Sequence, residues 1–142
     1  MFGAIDYFSG RLCFQGIEGR LNSDSYHTFL RMIMAQTTAH LFLIHDGARS
    51  HTSAATKAFV VAHHDRITAY PFPSYSPDDN PIEYLWKKTK QRVTHNKYFK
   101  EFTALTISVE KALAYFVTHP EEVVGLFGLY REESGLELKQ AA

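Results

Sequence analysis

Two acidic residues of this chain stand where a carboxylate can act chemically. Asp46 follows the apolar run Leu41–Ile44 and His45, and Glu83 follows a proline-rich stretch that leads into Pro81. Carboxylates at the end of a strand and at the start of a helix can together bind hard cations that prefer oxygen, such as magnesium or manganese. Two such ions about 3.5–4 Å apart are a known arrangement for in-line phosphodiester chemistry. The two residues are therefore candidates for a metal-dependent site.

Each carboxylate also has a purely structural interpretation. Asp46-Gly47 is typical of a turn after a strand, because Asp tolerates that backbone and Gly supplies a positive φ. With Asn80 as the N-cap, Glu83 lies at the third helical position, where it can complete a capping box. It can also form an ion pair with Lys87 one helical turn further on. Spacing alone leaves these alternatives open.

Basic residues are concentrated in one segment although the chain as a whole is neutral. The fifteen basic and fifteen acidic residues give a balance that does not indicate a nucleic-acid binder. Between Tyr84 and Lys100, however, the charged residues are all cations: Lys87, Lys88, Lys90, Arg92, Lys97 and Lys100. Such a strip can contact phosphates, and it is also common on a solvated helix face.

The composition indicates a folded protein outside the membrane. With 142 residues, 45% of them hydrophobic and 14% aromatic, the chain can form a single domain with its own core. No apolar run approaches about 18 residues, so no membrane span is expected. The lack of a secretory signal pattern and the single cysteine, Cys13, predict a cytoplasmic protein. The eight histidines lack zinc-site spacing, which argues against zinc.

Alternating strands and helices must position the two carboxylates. Strands are predicted at Phe2–Phe8, Arg11–Ile17, Leu41–Ile44 and Ile67–Phe72. Helices are predicted after a cap at Asn22 or Ser23, from a cap at Ser50 to about His63, from Pro81, over Phe102–Phe116, and from Pro120 to Gly128. This order predicts an α/β fold, a mixed sheet flanked by helices, in which reactive groups lie at the carboxyl ends of strands.

Apolar spacing predicts which faces are buried. The apolar run Leu41–Ile44 is typical of a strand covered on both faces. Helical spacing predicts the buried positions Tyr26, Phe29, Leu30, Ile33, Met34 and Thr37 in the first helix. In the two helices after the proline-rich stretch it predicts Ile82, Leu85, Trp86 and Val93, and then Phe102, Leu105, Val109, Leu113 and Phe116.

Two segments carry a family resemblance. LFLIHDGARSHTS (residues 41–53) and PFPSYSPDDNPIEYLWKKTKQRV (residues 71–93) closely resemble the catalytic core of bacterial insertion-sequence transposases related to the mariner group, which belong to the DDE superfamily. In that family a strand ends in the second catalytic Asp, with a His five positions on, and these match Asp46 and His51. The family's Asn-Pro-Ile-Glu, followed by a Trp, matches residues 80–83 and Trp86, so Glu83 corresponds to the third catalytic carboxylate.

The resemblance implies a ribonuclease H-like, retroviral integrase-like fold and a two-metal mechanism using magnesium or manganese. The activity implied is cleavage and strand transfer of DNA, with transposon ends and target DNA as partners and self or full-length transposase as further partners. It also implies a bacterial, nucleoid-associated location. His51 would contact a phosphate or orient a ligand. The implied DNA contacts are Lys87, Lys88, Lys90 and Arg92.

The chain departs from the family at its first strand. The family's first catalytic Asp lies on a strand before the opening hairpin, and no counterpart of that strand is found here. Asp6 is the alternative ligand on the hairpin. The chain is thus interpreted as a catalytic-core fragment over residues 1–130 with a polar tail at 131–142, and we expect no strand cleavage by it alone. The alternative is an inactive remnant, or a modulator that binds DNA or transposase.

Overall fold

The structure is a computed structural model, and it describes residues 1–73, 80–95 and 97–127. The elements are β1 (Phe2–Ile5), β2 (Leu12–Gln15), α1 (Ser23–Ala35), β3 (Leu41–His45), α2 (Arg49–Thr52), α3 (Ala54–Ala62), β4 (Ile67–Pro71), α4 (Pro81–Thr94), α5 (Phe102–Thr118) and α6 (Pro120–Gly125). The predicted loop at 74–79, the helix end at Gly128 and the tail at 131–142 lie outside the described residues.

The predicted order of elements is confirmed, with one correction between β3 and β4. A single helix capped by Ser50 is predicted there, but two helices form, α2 and α3. Ser53 separates them with an extended backbone (φ −60°, ψ 156°), and its hydroxyl accepts a hydrogen bond from the backbone N–H of Thr56. Ser53 is therefore the N-cap of α3, because its side chain satisfies a donor that the first turn leaves unpaired.

The described strands form two small sheets. β1 pairs with β2, and β3 pairs in parallel with β4 in a register that runs from Leu41 opposite Ile67 to His45 opposite Pro71. α2 and α3 form the crossover that a parallel pair requires. The prediction that β3 is covered on both faces is wrong, since Phe42 is 71% exposed and Ile44 is 58% exposed. An apolar run indicates a strand but does not show how many of its faces are covered.

The chain divides into two compact units, of which the first comprises residues 1–3 and 13–80. Its core lies under α1, where the ring of Phe2 lies 5.3 Å from that of Tyr26 and 5.6 Å from that of Phe29. α1 begins with a capping box between Asn22 and Ser25, as the Asn22 cap predicts. Arg66 donates hydrogen bonds to carbonyl groups at the end of α1.

The second unit comprises residues 4–12 and the chain from Pro81 onward. Its core consists of side chains from α4, α5 and α6 that are fully buried: Leu85, Leu113, Phe116 and Val123. In the hairpin turn, Gly10 has a φ of 72°, and a Cβ added there would clash with the backbone oxygen of Pro120. Only glycine fits this close approach without strain.

The helical faces of the second unit are only partly as predicted. Leu85 and Val93 are buried in α4, and Leu113 and Phe116 are buried in α5. Phe102 is 82% exposed, so its predicted place in the buried stripe is wrong. It is the first residue of α5, and the end of a helix can extend beyond the surface against which the helix packs. No helix in the described ranges is long and apolar enough to cross a membrane.

Candidate active site

Asp46 lies directly after β3, at the carboxyl end of the parallel pair of strands. Its Oδ1 accepts hydrogen bonds from the backbone N–H of Ala48 at 3.0 Å and from Nδ1 of His51 at 2.7 Å. The side chain is 51% exposed, and within the described residues Oδ2 accepts no hydrogen bond. One oxygen of Asp46 is therefore fixed by the protein, and the other is open to a ligand.

The turn interpretation of Asp46 agrees with the structure in one respect and not in another. The hydrogen bond from Ala48 N–H to Asp46 is the local pattern by which Asp stabilises a turn. Among the described glycines, Gly10 and Gly19 have a positive φ and Gly47 does not, so the positive φ predicted for Gly47 is wrong. Because the turn uses Oδ1, it leaves Oδ2 of the same carboxylate available to a ligand.

His51 lies on α2, and its side chain is only 16% exposed. Burial lowers the pKa of His51 below its ordinary value of 6.5, and the charge and hydrogen bond of Asp46 oppose this shift only in part. The imidazole is therefore mainly neutral at neutral pH. Since a carboxylate oxygen can only accept, Nδ1 carries the proton. The hydrogen bond fixes the direction of Asp46, whereas both predicted roles of His51, orienting a ligand and contacting a phosphate, stay predictions.

Tyr26 is a neighbour of this pair that the sequence predicts only as a core residue. Its ring centroid lies 4.2 Å from that of His51, and the residue is 4% exposed. Burial raises the pKa of Tyr26 far above its ordinary value, and the negative charge of Asp46 raises it further. The phenol therefore stays protonated near the carboxylate. Helical spacing predicts that Tyr26 is buried, but it gives no signal that α1 packs against the residues following β3.

Glu83 is the third residue of α4 and is exposed. Among the residues that the structure describes, its carboxylate makes no hydrogen bond or ion pair. The ion pair with Lys87 is therefore not formed there, whereas the capping box with Asn80 stays a prediction. The first turn of a helix favours a negative charge, because the backbone N–H groups point toward it. Asp46 lies in the first unit and Glu83 in the second.

Three lysines predicted to contact DNA lie on α4 and are all exposed: Lys87, Lys88 and Lys90. At roughly 100° per residue, Lys87 and Lys90 lie on the same side of the helix as Glu83, whereas Lys88 lies about 100° further round the helix from Lys87. The buried positions of α4, Leu85 and Val93 among them, lie on the opposite side. The exposed face of α4 thus carries one carboxylate followed by several cations.

Arg92 is the fourth predicted DNA contact, and its surroundings differ from those of the lysines. Its guanidinium carbon lies 3.8 Å from the ring centroid of Tyr115 on α5. The ring of Tyr115 also stacks on that of His119, with 4.0 Å between the ring centroids. The cation–π contact joins α4 to α5. A contact between Arg92 and DNA stays a prediction, and the guanidinium already has a partner within the protein.

Asp6, the alternative ligand, lies in the hairpin turn. Its Oδ1 accepts hydrogen bonds from the backbone N–H groups of Phe8 at 2.9 Å and Ser9 at 3.0 Å. Burial raises the pKa of Asp6, but these hydrogen bonds and the charge of Arg11 outweigh burial, so the net pKa lies below its ordinary value. The carboxylate thus stabilises the turn, and its role as a metal ligand stays a prediction.

The donor groups fit a divalent metal that prefers oxygen. Oδ2 of Asp46 and the carboxylate of Glu83 are unpaired among the described residues, and carboxylate oxygens are the ligands that magnesium and manganese favour. In the same part of the chain, no group of three or more His, Cys, Asp or Glu side chains is arranged to bind a metal. The described residues therefore offer suitable carboxylates without a complete three-ligand site.

Comparison with protein families gives a match that contains both carboxylates. Residues 1–106, more than half of the chain, match the model described as DDE superfamily endonuclease. The matched range contains Asp46, His51 and Glu83, together with the basic residues of α4. A comparison with curated proteins gives no match.

Comparison with solved structures gives a match in fold. The crystal structure of the catalytic domain of Mos1 mariner transposase is similar to this chain with a TM-score of 0.57 and 14% sequence identity. The match covers 82% of this chain and 64% of that chain, so the present chain spans less than two thirds of the length of that domain. At this identity the likeness concerns the fold, and it confirms the predicted ribonuclease H-like class.

Proposed function

Because this chain belongs to the DDE superfamily of endonucleases, we propose that it supplies Asp46 and Glu83 as two catalytic carboxylates of a transposase catalytic domain. The substrate is DNA, at transposon ends and at target sites. The reaction is metal-dependent strand cleavage followed by strand transfer. The proposal rests on the geometry of Asp46, which lies at the carboxyl end of β3 with one carboxylate oxygen fixed by hydrogen bonds and the other open. The family match contains both Asp46 and Glu83.

The residues around Asp46 support this role through orientation. Ala48 and His51 engage Oδ1, so the carboxylate cannot rotate freely and Oδ2 is presented to a ligand. Asp46 and Glu83 would bind the divalent metals that the family uses. When bound, magnesium or manganese would activate the attacking water or DNA 3′-hydroxyl and stabilise the leaving oxygen. His51, neutral with its proton on Nδ1, maintains the direction of Asp46 during these steps.

The lysines of α4 would contact the DNA backbone. Lys87, Lys88 and Lys90 are exposed on the same helix as Glu83, and phosphate contacts of this kind position DNA without reading its sequence. A DNA strand lying along this face of α4 would bring a phosphodiester toward Glu83. Arg92 is expected to contribute less, since its guanidinium stacks on Tyr115.

DNA binding is tested by measuring affinity for duplex DNA over a range of salt concentrations. Replacing Lys87, Lys88 and Lys90 with Gln is expected to lower the slope of log affinity against log salt by about 3, or about 1 per lysine. The matched control is Lys111→Gln, which removes an exposed lysine on α5 and is expected to leave the slope unchanged. An unchanged slope in the triple variant would sink the proposed contact surface.

The expectation from the sequence is that this chain alone does not cleave DNA. Nicking of supercoiled DNA with magnesium or manganese tests this expectation. Nicking that disappears in both Asp46→Asn and Glu83→Gln would overturn the expected inactivity and support the two carboxylates. If Asp6→Asn abolished it as well, Asp6 would be assigned as a third ligand. Asp65→Asn and Glu110→Gln are exposed-acid controls that should keep any activity.

A second candidate function is that of a modulator that binds DNA or transposase without cutting. The observation that favours it is the exposure of Lys87, Lys88 and Lys90 on α4, because such lysines can bind DNA without any metal-dependent chemistry. Mixing the chain with a full-length transposase tests this function. A change in the rate of strand transfer would support modulation, and an unchanged rate would count against it.

A further inference from the structure

Two exposed aromatic side chains lie where the basic helix α4 leads into α5. Tyr98 is 89% exposed, and Phe102, the first residue of α5, is 82% exposed. The two exposed rings lie within five positions of each other and each offers a large flat apolar face to a ligand. Both belong to the second unit. Neither ring belongs to the buried core of the described residues.

Cations flank these rings. Lys97 and Lys100 are exposed on either side of Tyr98, and Glu101 is the one acid among residues 97–102. A surface that combines positive charge with exposed rings is complementary to a polyanion that also presents flat apolar faces. DNA with unpaired bases is such a ligand, whereas a paired duplex keeps its base faces within the stack. The core of a protein–protein interface is depleted in lysine, which makes a protein partner a poorer fit.

We propose that residues 97–102, the aromatic–lysine segment, bind unpaired nucleotides next to a DNA end. Bases stack on Tyr98 and Phe102, while Lys97 and Lys100 contact the flanking phosphates. The proposal rests on the proposed function, since strand cleavage leaves DNA ends whose terminal bases can separate from their complements. It adds to that function a site that prefers unpaired ends. The residues of this site differ from the proposed catalytic carboxylates and from the lysines of α4.

The test compares the affinity of the full chain for two DNA probes, a blunt duplex and the same duplex with a short unpaired 3′ extension. The extended probe is expected to bind roughly 5- to 100-fold more tightly, the range that base–aromatic stacking gives. The double variant Tyr98→Leu, Phe102→Leu should lose this preference while keeping its affinity for the blunt duplex. The double variant Tyr98→Trp, Phe102→Trp should retain the preference, because it keeps the stacking faces.

Salt separates stacking from charge in the same assay. Raising the salt concentration should weaken binding of both probes, because phosphate contacts release counterions, while stacking, which releases few, keeps part of the preference for the extended probe. Replacing Lys97 and Lys100 with Gln should weaken binding of the extended probe more than that of the blunt duplex, because both lysines contact phosphates next to the unpaired nucleotides. A preference that disappears at moderate salt in the wild-type chain would assign it to charge and overturn the stacking role.

The outcomes distinguish this proposal from the proposed function. If the wild-type chain binds neither probe, both fail; if it binds both equally well, only the aromatic–lysine segment fails. A preference that survives in the Leu double variant would overturn the proposal. Sedimentation gives a further check. If the wild-type chain sedimented as a dimer and the Leu double variant as a monomer that retains the preference, the rings would belong to a protein interface and the proposal would be overturned. Unchanged circular dichroism verifies that the variants are folded.

Discussion

The end of β3 and the start of α4 each present a carboxylate, but the protein prepares the two in different ways. Asp46 is fixed by hydrogen bonds from Ala48 and His51 to one oxygen. Glu83 is exposed and makes no such bond among the described residues. A fixed carboxylate loses little conformational entropy when it binds a ligand, whereas a free one must be ordered by that ligand. Asp46 is thus a preformed ligand group, and Glu83 is a ligand group that binding must order.

The largest predicted loss of stability comes from removing the hydrogen bond that fixes Asp46. His51→Ala removes the hydrogen bond to Asp46 and the contact with Tyr26, so we expect the free energy of unfolding to fall by about 1–3 kcal/mol. Urea denaturation measures this change. His95→Ala, which removes an exposed histidine, is the matched control and should change stability by less than about 0.5 kcal/mol. Equal losses in the two variants would show that the Asp46–His51 pair contributes nothing specific.

A smaller loss of stability is expected at Arg92, the basic residue of α4 whose guanidinium contacts the ring of Tyr115. Arg92→Gln removes the guanidinium from the ring of Tyr115 and should lower the melting temperature of the chain. Lys90→Gln, on the exposed face of the same helix, should leave the melting temperature unchanged. If the lysine variant lost as much stability as the arginine variant, the division of α4 into an anchored cation and free cations would be wrong.

Acid should weaken the first unit through its buried histidines. Burial lowers the pKa of His27 below 6.5, as does the charge of Arg31 and, less strongly, that of His63, while Asp24 opposes the shift. The unfolded state then binds protons more readily than the folded state below about pH 6.5, so stability is full above this pH and declines as the pH falls. Urea midpoints measured across this range should show a shallower decline in His27→Gln. An identical pH dependence in the variant would contradict this cause.

The smallest effect is expected at Glu83. Glu83→Gln removes a charge that has no described partner, so the free energy of unfolding should change by less than about 0.5 kcal/mol. A loss as large as that in His51→Ala would show that Glu83 is anchored after all, and the contrast between the two carboxylates would fail. A small stability change combined with lost metal affinity is the outcome that fits a ligand-binding residue.

Much of the fold could be predicted from the sequence, because local signals specify local structure. The Asn22 cap, Pro81 at the first position of α4 and the apolar run of β3 each predict an element that forms. Exposure could not be predicted in the same way. Phe42 and Phe102 lie at apolar positions of regular patterns, yet both are exposed, since burial depends on which surfaces other elements cover.

The candidate site could be predicted only in part. Asp46 and Glu83 are recognisable from motif wording, because that wording carries the family resemblance. The Asp46–His51 hydrogen bond agrees with the five-residue spacing, whereas the contact between Tyr26 and His51 joins elements far apart in the sequence. No local pattern encodes such a contact. The same reasoning applies to Arg92, whose position among the basic residues gives no sign that its guanidinium stacks on Tyr115.

Binding of manganese, measured by calorimetry, tests most directly whether Asp46 and Glu83 are metal-binding carboxylates. We expect Asp46→Asn and Glu83→Gln each to weaken binding about tenfold or more, since each removes a carboxylate that a divalent metal prefers. Asp65→Asn and Glu110→Gln should bind as the wild-type chain does. Unchanged affinity in either Asp46→Asn or Glu83→Gln would contradict the account.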